Sequence, residues 1–409
     1  MILVKKNKSN SRKDMTKWLI HFVKDVDHRH IPGKTYDEYV AFSKDELDDG
    51  TSALDVLRNI IRVGGLLAKP SFRNGRTTLY GGENVVCATE MPLYSFYKYA
   101  RLRSAAGNVS SIGVAFLKEQ FFAEGGRHAI YGLSKPLKYE KRGNTKYYKI
   151  LEESCLPKDE QYRYVHTQLN GKGWTDWTHE REWRWKKTMK HHSIWAEDCE
   201  AVQGSYDGLP LFKSDSKCKI DRVIFIVSNS TQADIIRKDL TGLYIAGCNN
   251  YGTPFSRDVI RHARIINMEE IVARIEHDDV HEYETIEGIE RKNLVRPLNL
   301  GTQPTPKQIE RMKKAISQGK KNANAVKCCS TSPSANGRCK VMSDDICNKW
   351  VQKFLFAKLA HGPFDGKVVF HFGIFGSQDL DLNEKRAEVF MQELEKEFGK
   401  IFYLDSQFD

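Results

Sequence analysis

The stretch Thr178-His179-Glu180-Arg181-Glu182-Trp183-Arg184-Trp185 decides how the chain is read. From Glu182 onward it alternates charged and aromatic residues, the period of a strand with one face buried. That period places Glu180, Glu182 and Arg184 on one face, and Arg181, Trp183 and Trp185 on the other. A carboxylate on a rigid strand, framed by large aromatics, is a candidate catalytic group. The plainer alternative is an edge strand carrying solvated ion pairs, since charged and aromatic residues often mix at sheet edges.

Working outward, the N-terminal side supplies shorter apolar runs. Lys17-Trp18-Leu19-Ile20-His21-Phe22-Val23 reads as a buried strand with a histidine in its middle. A lone strand histidine is more often a packed, hydrogen-bonded residue than a ligand. Ser52 and Asp55 form a capping arrangement for a helix whose Leu54, Leu57, Ile60 and Ile61 share a face, and Gly64-Gly65 stops it. A loop from Pro70 to Gly82 holds Arg73 and Arg76. Val85-Val86-Cys87-Ala88-Thr89 is a second strand, and Glu90 reads as the cap of the turn after it. Pro92 opens a helix bearing Leu93, Tyr94, Phe96, Tyr97 and Tyr99. Ser111 to Phe116 and His128 to Tyr131 read as further strands, and Glu140 to Gln168 as charged and partly helical.

On the C-terminal side, Lys186 to Ser216 reads as a loop-rich excursion with His191, His192 and Cys199 as weak metal-ligand candidates. Val223 to Val227 is a wholly apolar strand, followed by a helix from Thr231 to Leu240. Arg264-Ile265-Ile266 is another strand, with Asn267 capping a helix after it. Strands and helices mix without regular βαβ alternation, so the expected fold class is α+β.

Composition bounds the function classes. The 409 residues suggest two or three domains, and 64 Lys+Arg against 53 Asp+Glu give a formal net charge of +11. That balance favours a polyanionic partner such as nucleic acid. No long apolar run predicts a membrane span, and Met1 to Val4 is followed at once by lysines, unlike a signal peptide. A cytoplasmic, reducing location with nine mostly free cysteines is the expectation. There is no P-loop pattern, GxGxxG, HExxH or serine nucleophile elbow. Pro297, Pro304 and Pro306 frame a linker, and Lys307 to Lys327 is a basic, helix-like stretch, either solvated or set against phosphates. Cys328, Cys329, Cys339 and Cys347 cluster without paired CxxC spacing. The tail from Lys367 reads as strand, helix, strand. The expected division is a basic tail over 1–15, a main domain over 16–295, linker and basic helix over 296–327, and a small C-terminal domain over 328–409.

The ordered set of His21, Arg73 and Arg76, Cys87 to Tyr94, and Glu182 resembles the DarT-like ADP-ribosyltransferases and the related AbiGi-type phage-resistance proteins. The resemblance covers about Trp18 to Leu240. It rests on the aromatic and apolar run around His21, the helix ending before Gly65-Leu66-Leu67-Ala68, the Cys87-to-Tyr94 strand and turn, and the Arg181-Glu182-Trp183 strand. The long excursion after Glu182 and the loop before Val85 depart from that pattern. The resemblance implies a split mixed sheet with flanking helices and NAD⁺ as substrate. It implies Glu182 with a loop arginine, Arg73 or Arg76, as catalytic groups, and His21, Tyr94 and Tyr97 on the dinucleotide. It further implies a nucleic-acid acceptor and a toxin or anti-phage role, with a neutralising antitoxin as a possible partner. A protein acceptor, or a catalytically silent nucleic-acid-binding module on the same scaffold, are the competing expectations. No metal is implied.

Overall fold

The computed structural model describes residues 15–25, 52–68, 72–73, 76–104, 110–142, 146–168, 176–186, 190–197, 200–212, 220–248, 254–275, 280–327, 335–364, 366–373, 375 and 379–408. The basic tail, the segment His28 to Asp49, and Cys328, Cys329 and Cys199 lie outside them. The chain forms two compact units. One holds the described residues up to Ile236 together with Gly247–Leu298, and the other Arg237–Ala246 with the residues from Asn299 onward.

In the first unit, β1 (Trp18–Val23) is followed by α1 (Ala53–Val63), β2 (Gly65–Leu67) and the two-residue strands β3 (Phe72–Arg73) and β4 (Arg76–Thr77). Next come β5 (Val85–Thr89), α2 (Leu93–Ser104), β6 (Ile112–Leu117), α3 (Lys118–Ala123), β7 (Arg127–His128) and β8 (Ile130–Gly132). Then β9 (Lys138–Arg142), β10 (Lys146–Ile150), β11 (Tyr164–His166), β12 (Glu182–Lys186), β13 (Lys190–Glu197) and β14 (Glu200–Pro210) precede β15 (Val223–Val227). The unit closes with α4 (Ser230–Ala246, its second half counted with the other unit), α5 (Arg257–His262), β16 (Arg264–Asn267), α6 (Met268–Ile275), α7 (Ile286–Arg291) and β17 (Arg296–Pro297).

The organising element is an eight-stranded mixed sheet in the order β17-β16-β15-β6-β1-β5-β12-β7. Its central strands read as continuous apolar runs because both faces are covered. On one face Ile20, Ala115, Ile224 and Ile226 pack with Phe96 of α2 and with Met268, Ile271, Ile286 and Ile289. Six residues of β1 register with β6, but only Ile20 registers with β5, opposite Thr89. The sheet is thus thinly joined between β1 and β5. The capping reading of α1 holds: Ser52 Oγ accepts from the Asp55 amide, and Gly64 ends the helix in the left-handed region at φ 72°. A Cβ at Gly64 would also lie 2.6 Å from the Phe255 ring.

Two expectations fail. Residues 140–168 are not helical beyond a 3₁₀ turn over Lys158–Arg163; β9 and β10 form an antiparallel hairpin, and β11 pairs in parallel with β8. Tyrosines and charges alternate along β9 and β10, and that alternation outweighs the charge density. The excursion after Glu182 is likewise no loop: β13 and β14 pair over their length, from Lys190↔Asp207 to Glu197↔Glu200, and β14 continues onto β2. Most of their side chains, His191 and His192 included, lie outside the described residues.

In the second unit α8 (Pro306–Ala325), β18 (Gly337–Ser343), α9 (Lys349–Phe356), β19 (His361–Phe364), β20 (Lys367–His371), α10 (Leu380–Phe398) and β21 (Tyr403–Phe408) build a four-stranded sheet ordered β19-β20-β18-β21. The expected strand-helix-strand tail is present as β20, α10 and β21. β18, which lies between β20 and β21 in the sheet, precedes both in the chain and was not anticipated. α8 starts with a full capping box between Thr305 and Gln308. It buries Met312, Ala315, Gly319 and Ala323, so its lysines occupy the opposite, solvated face. Cys339 is buried in β18 beside Ser406. No group of three or more potential metal ligands exists among the described residues, and none of their helices is long and apolar enough to cross a membrane.

Candidate active site

The site forms where β5 and β12 end and begin. Thr178–Glu180 makes a 3₁₀ turn, and Arg181 then adopts the left-handed conformation at φ 46°. Non-glycine residues rarely sit there, and the conformation is held by its surroundings. Thr89 Oγ1 donates to the Glu180 carbonyl and the Glu90 amide to the Arg181 carbonyl, so the turn is stitched to the end of β5. The chain leaves this turn as β12, with Glu182 opposite Thr89. The expected alternation therefore starts at Glu182; Glu180 and Arg181 belong to the turn.

Ile20, Thr89 and Glu182 form one row across β1, β5 and β12. Two strand spacings, roughly 10 Å, separate the His21 strand from the Glu182 strand. His21 Nδ1 lies 2.7 Å from the Cys87 carbonyl. A carbonyl only accepts, so Nδ1 carries a proton. Cys87 also meets the other side: its thiol sits beside Glu182, and burial first, then that carboxylate, push the thiol well above its ordinary range. It is a neutral neighbour, not a nucleophile.

Glu182 itself is held by Arg184. The guanidinium grips the carboxylate with two bonds, Nε to Oε1 at 3.0 Å and Nη2 to Oε2 at 2.9 Å, while Nη1 donates to the carbonyls of Tyr162 (2.7 Å) and Tyr164 (3.0 Å). The pair is nearly enclosed, with side-chain exposures of 13% for Glu182 and 7% for Arg184. The edge-strand alternative anticipated a solvated pair; here Arg184 is buried, Glu182 is largely covered, and the two are joined by two hydrogen bonds. The Glu182 amide donates to the Tyr131 hydroxyl at 2.9 Å. Burial, with the charges of Glu182 and Glu180, pushes that phenol up to about 12.

The tyrosines divide. Tyr94 and Tyr97 stack on each other with ring centroids 6.4 Å apart, covered by Lys98 and Arg101, along one stripe of α2. Helical geometry turns Tyr99 well away from that stripe. Its hydroxyl donates to Glu180 Oε1 at 2.5 Å, and its ring neighbours His179 and Phe22. Tyr99 and Tyr131, not singled out in the sequence, are thus the aromatic residues at the carboxylates. The signal for Tyr99 was its place three residues after the buried Phe96, on the flank of the core-facing stripe. Arg73 and Arg76 pair with each other across the β3–β4 hairpin, and their side chains lie outside the described residues.

A cleft of about 800 Å³ opens at this end of the sheet, lined by Glu90, Lys118, His128, Tyr131, Arg181 and Glu182 among others. That is within the size range of small-molecule sites. Its charged centre is Glu90, which does more than cap a turn. The side chain is 4% exposed and bonds Lys118 Nζ (2.8 Å), Arg181 Nη2 (3.0 Å) and Trp183 Nε1 (3.0 Å).

Neither family models, curated protein sequences nor solved structures give any match to this chain. The site must therefore be read from its own geometry.

Burial works against the Glu90 charge, but Lys118, Trp183 and Arg181 more than offset it and hold the carboxyl below its ordinary range. A depressed carboxyl contributes stability that is fully present above the ordinary glutamate pKa, about 4.3, and is lost as pH falls through the lower folded value. Glu90→Gln is accordingly expected to cost about 2–4 kcal/mol at neutral pH. It should also flatten the loss of stability below about pH 4. Thermal melts of both proteins between neutral and acid pH check this; parallel curves would mean Glu90 carries no net linkage.

Proposed function

We propose that the chain is an ADP-ribosyltransferase that consumes NAD⁺ and modifies a nucleic acid, acting as a toxin or anti-phage effector of the DarT-like or AbiGi-like kind. The observation that carries this reading is the Ile20–Thr89–Glu182 row, which sets the early histidine strand and the late glutamate strand on either side of β5; His21 itself stands one residue off that row and does not line the Glu182 cleft. The thin β1–β5 join fits the split sheet such a fold would have.

In the reaction, nicotinamide leaves the ribose with the bonding electron pair, and positive charge grows at C1′. The Glu182 carboxylate stabilises that charge in a water-poor site. The acceptor nucleophile then bonds C1′ and gives up its proton to a base, a role the same carboxylate can take. His21, protonated at Nδ1, accepts from a ribose hydroxyl through Nε2. Arg73 or Arg76 binds pyrophosphate oxygens, and aromatic rings flank the nicotinamide. Arg184 orients the carboxylate.

The test is incubation of the full chain with radiolabelled NAD⁺ and separate DNA, RNA and lysate-protein fractions. Label on DNA or RNA is the expected result. Label confined to protein would replace the acceptor and keep the enzyme class. The engagement of Glu182 by Arg184 favours one competing reading, a silent binding module. No label, no rise in melting temperature at millimolar NAD⁺ and tight, salt-sensitive DNA binding would establish it.

A further inference from the structure

A second cleft, about 470 Å³, opens on the same end of the main sheet but four to five strands away from Glu182. Arg222, just before β15, and Arg264, the first residue of β16, stand side by side there because those two strands are parallel neighbours. Trp18, His262, Glu290 and Asn293 complete the part that matters. Arg222 lies over the Trp18 ring at 5.3 Å and donates to Glu290 Oε1 at 3.0 Å. Arg264 donates through Nη1 to the carbonyls of Arg261 and Ala263. One carboxylate thus faces two guanidiniums and a histidine. Burial, and then the nearby Arg222, disfavour the charge on Arg264, so the two cations are close enough to repel. An anion seated between them relieves that repulsion.

The sheet's registers fix what else shares this end. Leu117 precedes Lys118 at the end of β6, Glu90 follows β5, and Arg181 precedes β12. Arg264, Arg222, Lys118 and Arg181 therefore stand along one end of the sheet leading to Glu182, with Arg222 paired to Glu290 and both Lys118 and Arg181 paired to Glu90. Adjacent strands are about 4.8 Å apart, so the arginine cleft lies roughly 19–24 Å from the Glu182 strand.

We infer that the Arg222–Arg264 cleft binds a backbone phosphate of the nucleic-acid strand whose base, out of any duplex stack as chemistry on a base requires, is presented at Glu182. This rests on the transferase reading for its far end only. A strand kept stacked as in a B-form duplex, rising about 3.4 Å per nucleotide, covers that span in roughly six to seven nucleotides. The chemistry bound is a phosphodiester. The pyrophosphate of NAD⁺ is the other source of such oxygens, and its binding is tested separately.

The experiment is fluorescence anisotropy of labelled single strands of roughly twelve and roughly four nucleotides, as DNA and as RNA, on the full chain across a salt series. Arg222→Ala should weaken the longer strand roughly tenfold and lower its salt slope by about 0.7, with little effect on the shorter one. Glu290→Gln, which removes the competing carboxylate, should tighten the longer strand severalfold. A role limited to stability would not produce that gain. Unchanged affinity in both variants, or equal losses for the two lengths, would overturn the proposal. So would displacement of the longer strand from this cleft by millimolar NAD⁺ in wild type but not in Arg222→Ala. The salt-series titrations contain no NAD⁺ and hence no turnover, so a chain that never consumes NAD⁺ would sink the transferase reading alone and leave those titrations to stand or fall by themselves.

Discussion

Glu182→Gln is expected to lower ADP-ribosyl transfer from NAD⁺ by about 10²–10³-fold, the usual loss when one preorganised electrostatic group is removed from a site where charge develops. Glutamine keeps the side chain's length and an oxygen for Arg184 to bond, so the packing of β12 against β5 survives. What disappears is the negative charge that the proposed reaction sets opposite the ribose. Arg184 is 7% exposed and would keep its charge beside a neutral amide, so some stability is lost as well. Transfer must therefore be measured at a temperature where circular dichroism shows the variant folded. Glu180→Gln is the informative comparison. Glu180 sits in the turn before β12 and bonds Tyr99, and its loss should reduce transfer far less. Full activity in Glu182→Gln, or a larger loss in Glu180→Gln, would move the chemistry to the turn carboxylate.

Much of the fold around this site, and Glu182 within it, was legible in the sequence, for reasons that can be stated residue by residue. The strands around Ile20, Val86 and Phe225 are short apolar runs, and a run of that kind is buried on both faces wherever it occurs. α1 was readable because Ser52, Asp55 and Gly64 are local signals whose meaning does not depend on the rest of the fold. The β9–β10 hairpin was hidden because charged residues crowd its alternation, and charge density alone argues for helix or loop. The Glu90 network was hidden for another reason. Glu90, Lys118 and Arg181 come from three separate segments, and only the register of β6, β1, β5 and β12 brings them together. Tyr99 illustrates the limit within a single helix. Periodicity places Tyr94, Tyr97 and Tyr99 on α2, but which stripe meets the carboxylates depends on how the helix lies on the sheet, and that is tertiary information.

Arg184→Met should produce the largest loss of stability of any single substitution at this site. Methionine has a similar reach but no donors, so the carbonyls of Tyr162 and Tyr164 lose a partner and Glu182 is left with a buried, uncompensated charge. Breaking a buried pair from one side costs about 3–5 kcal/mol. In a unit of this size each kcal/mol lowers the melting temperature by about 2–4 °C, so a fall of roughly 6–20 °C is expected by calorimetry. Arg184→Lys should recover only part of that loss, because an ammonium cannot bond two carbonyls and both carboxylate oxygens from one plane. The decisive variant is the double change Glu182→Leu with Arg184→Met. If most of the loss comes from the stranded carboxylate, removing it should restore several kcal/mol, and the cycle of single and double variants should show strong coupling. Stability would return while transfer stays absent. That outcome separates the two roles of the pair: Arg184 holds the carboxylate in place, and the carboxylate acts on substrate. A double variant as unstable as Arg184→Met alone would instead assign the guanidinium's main work to the two carbonyls, making Glu182 a guest of a structural arginine and weakening the case that β12 was built around its charge.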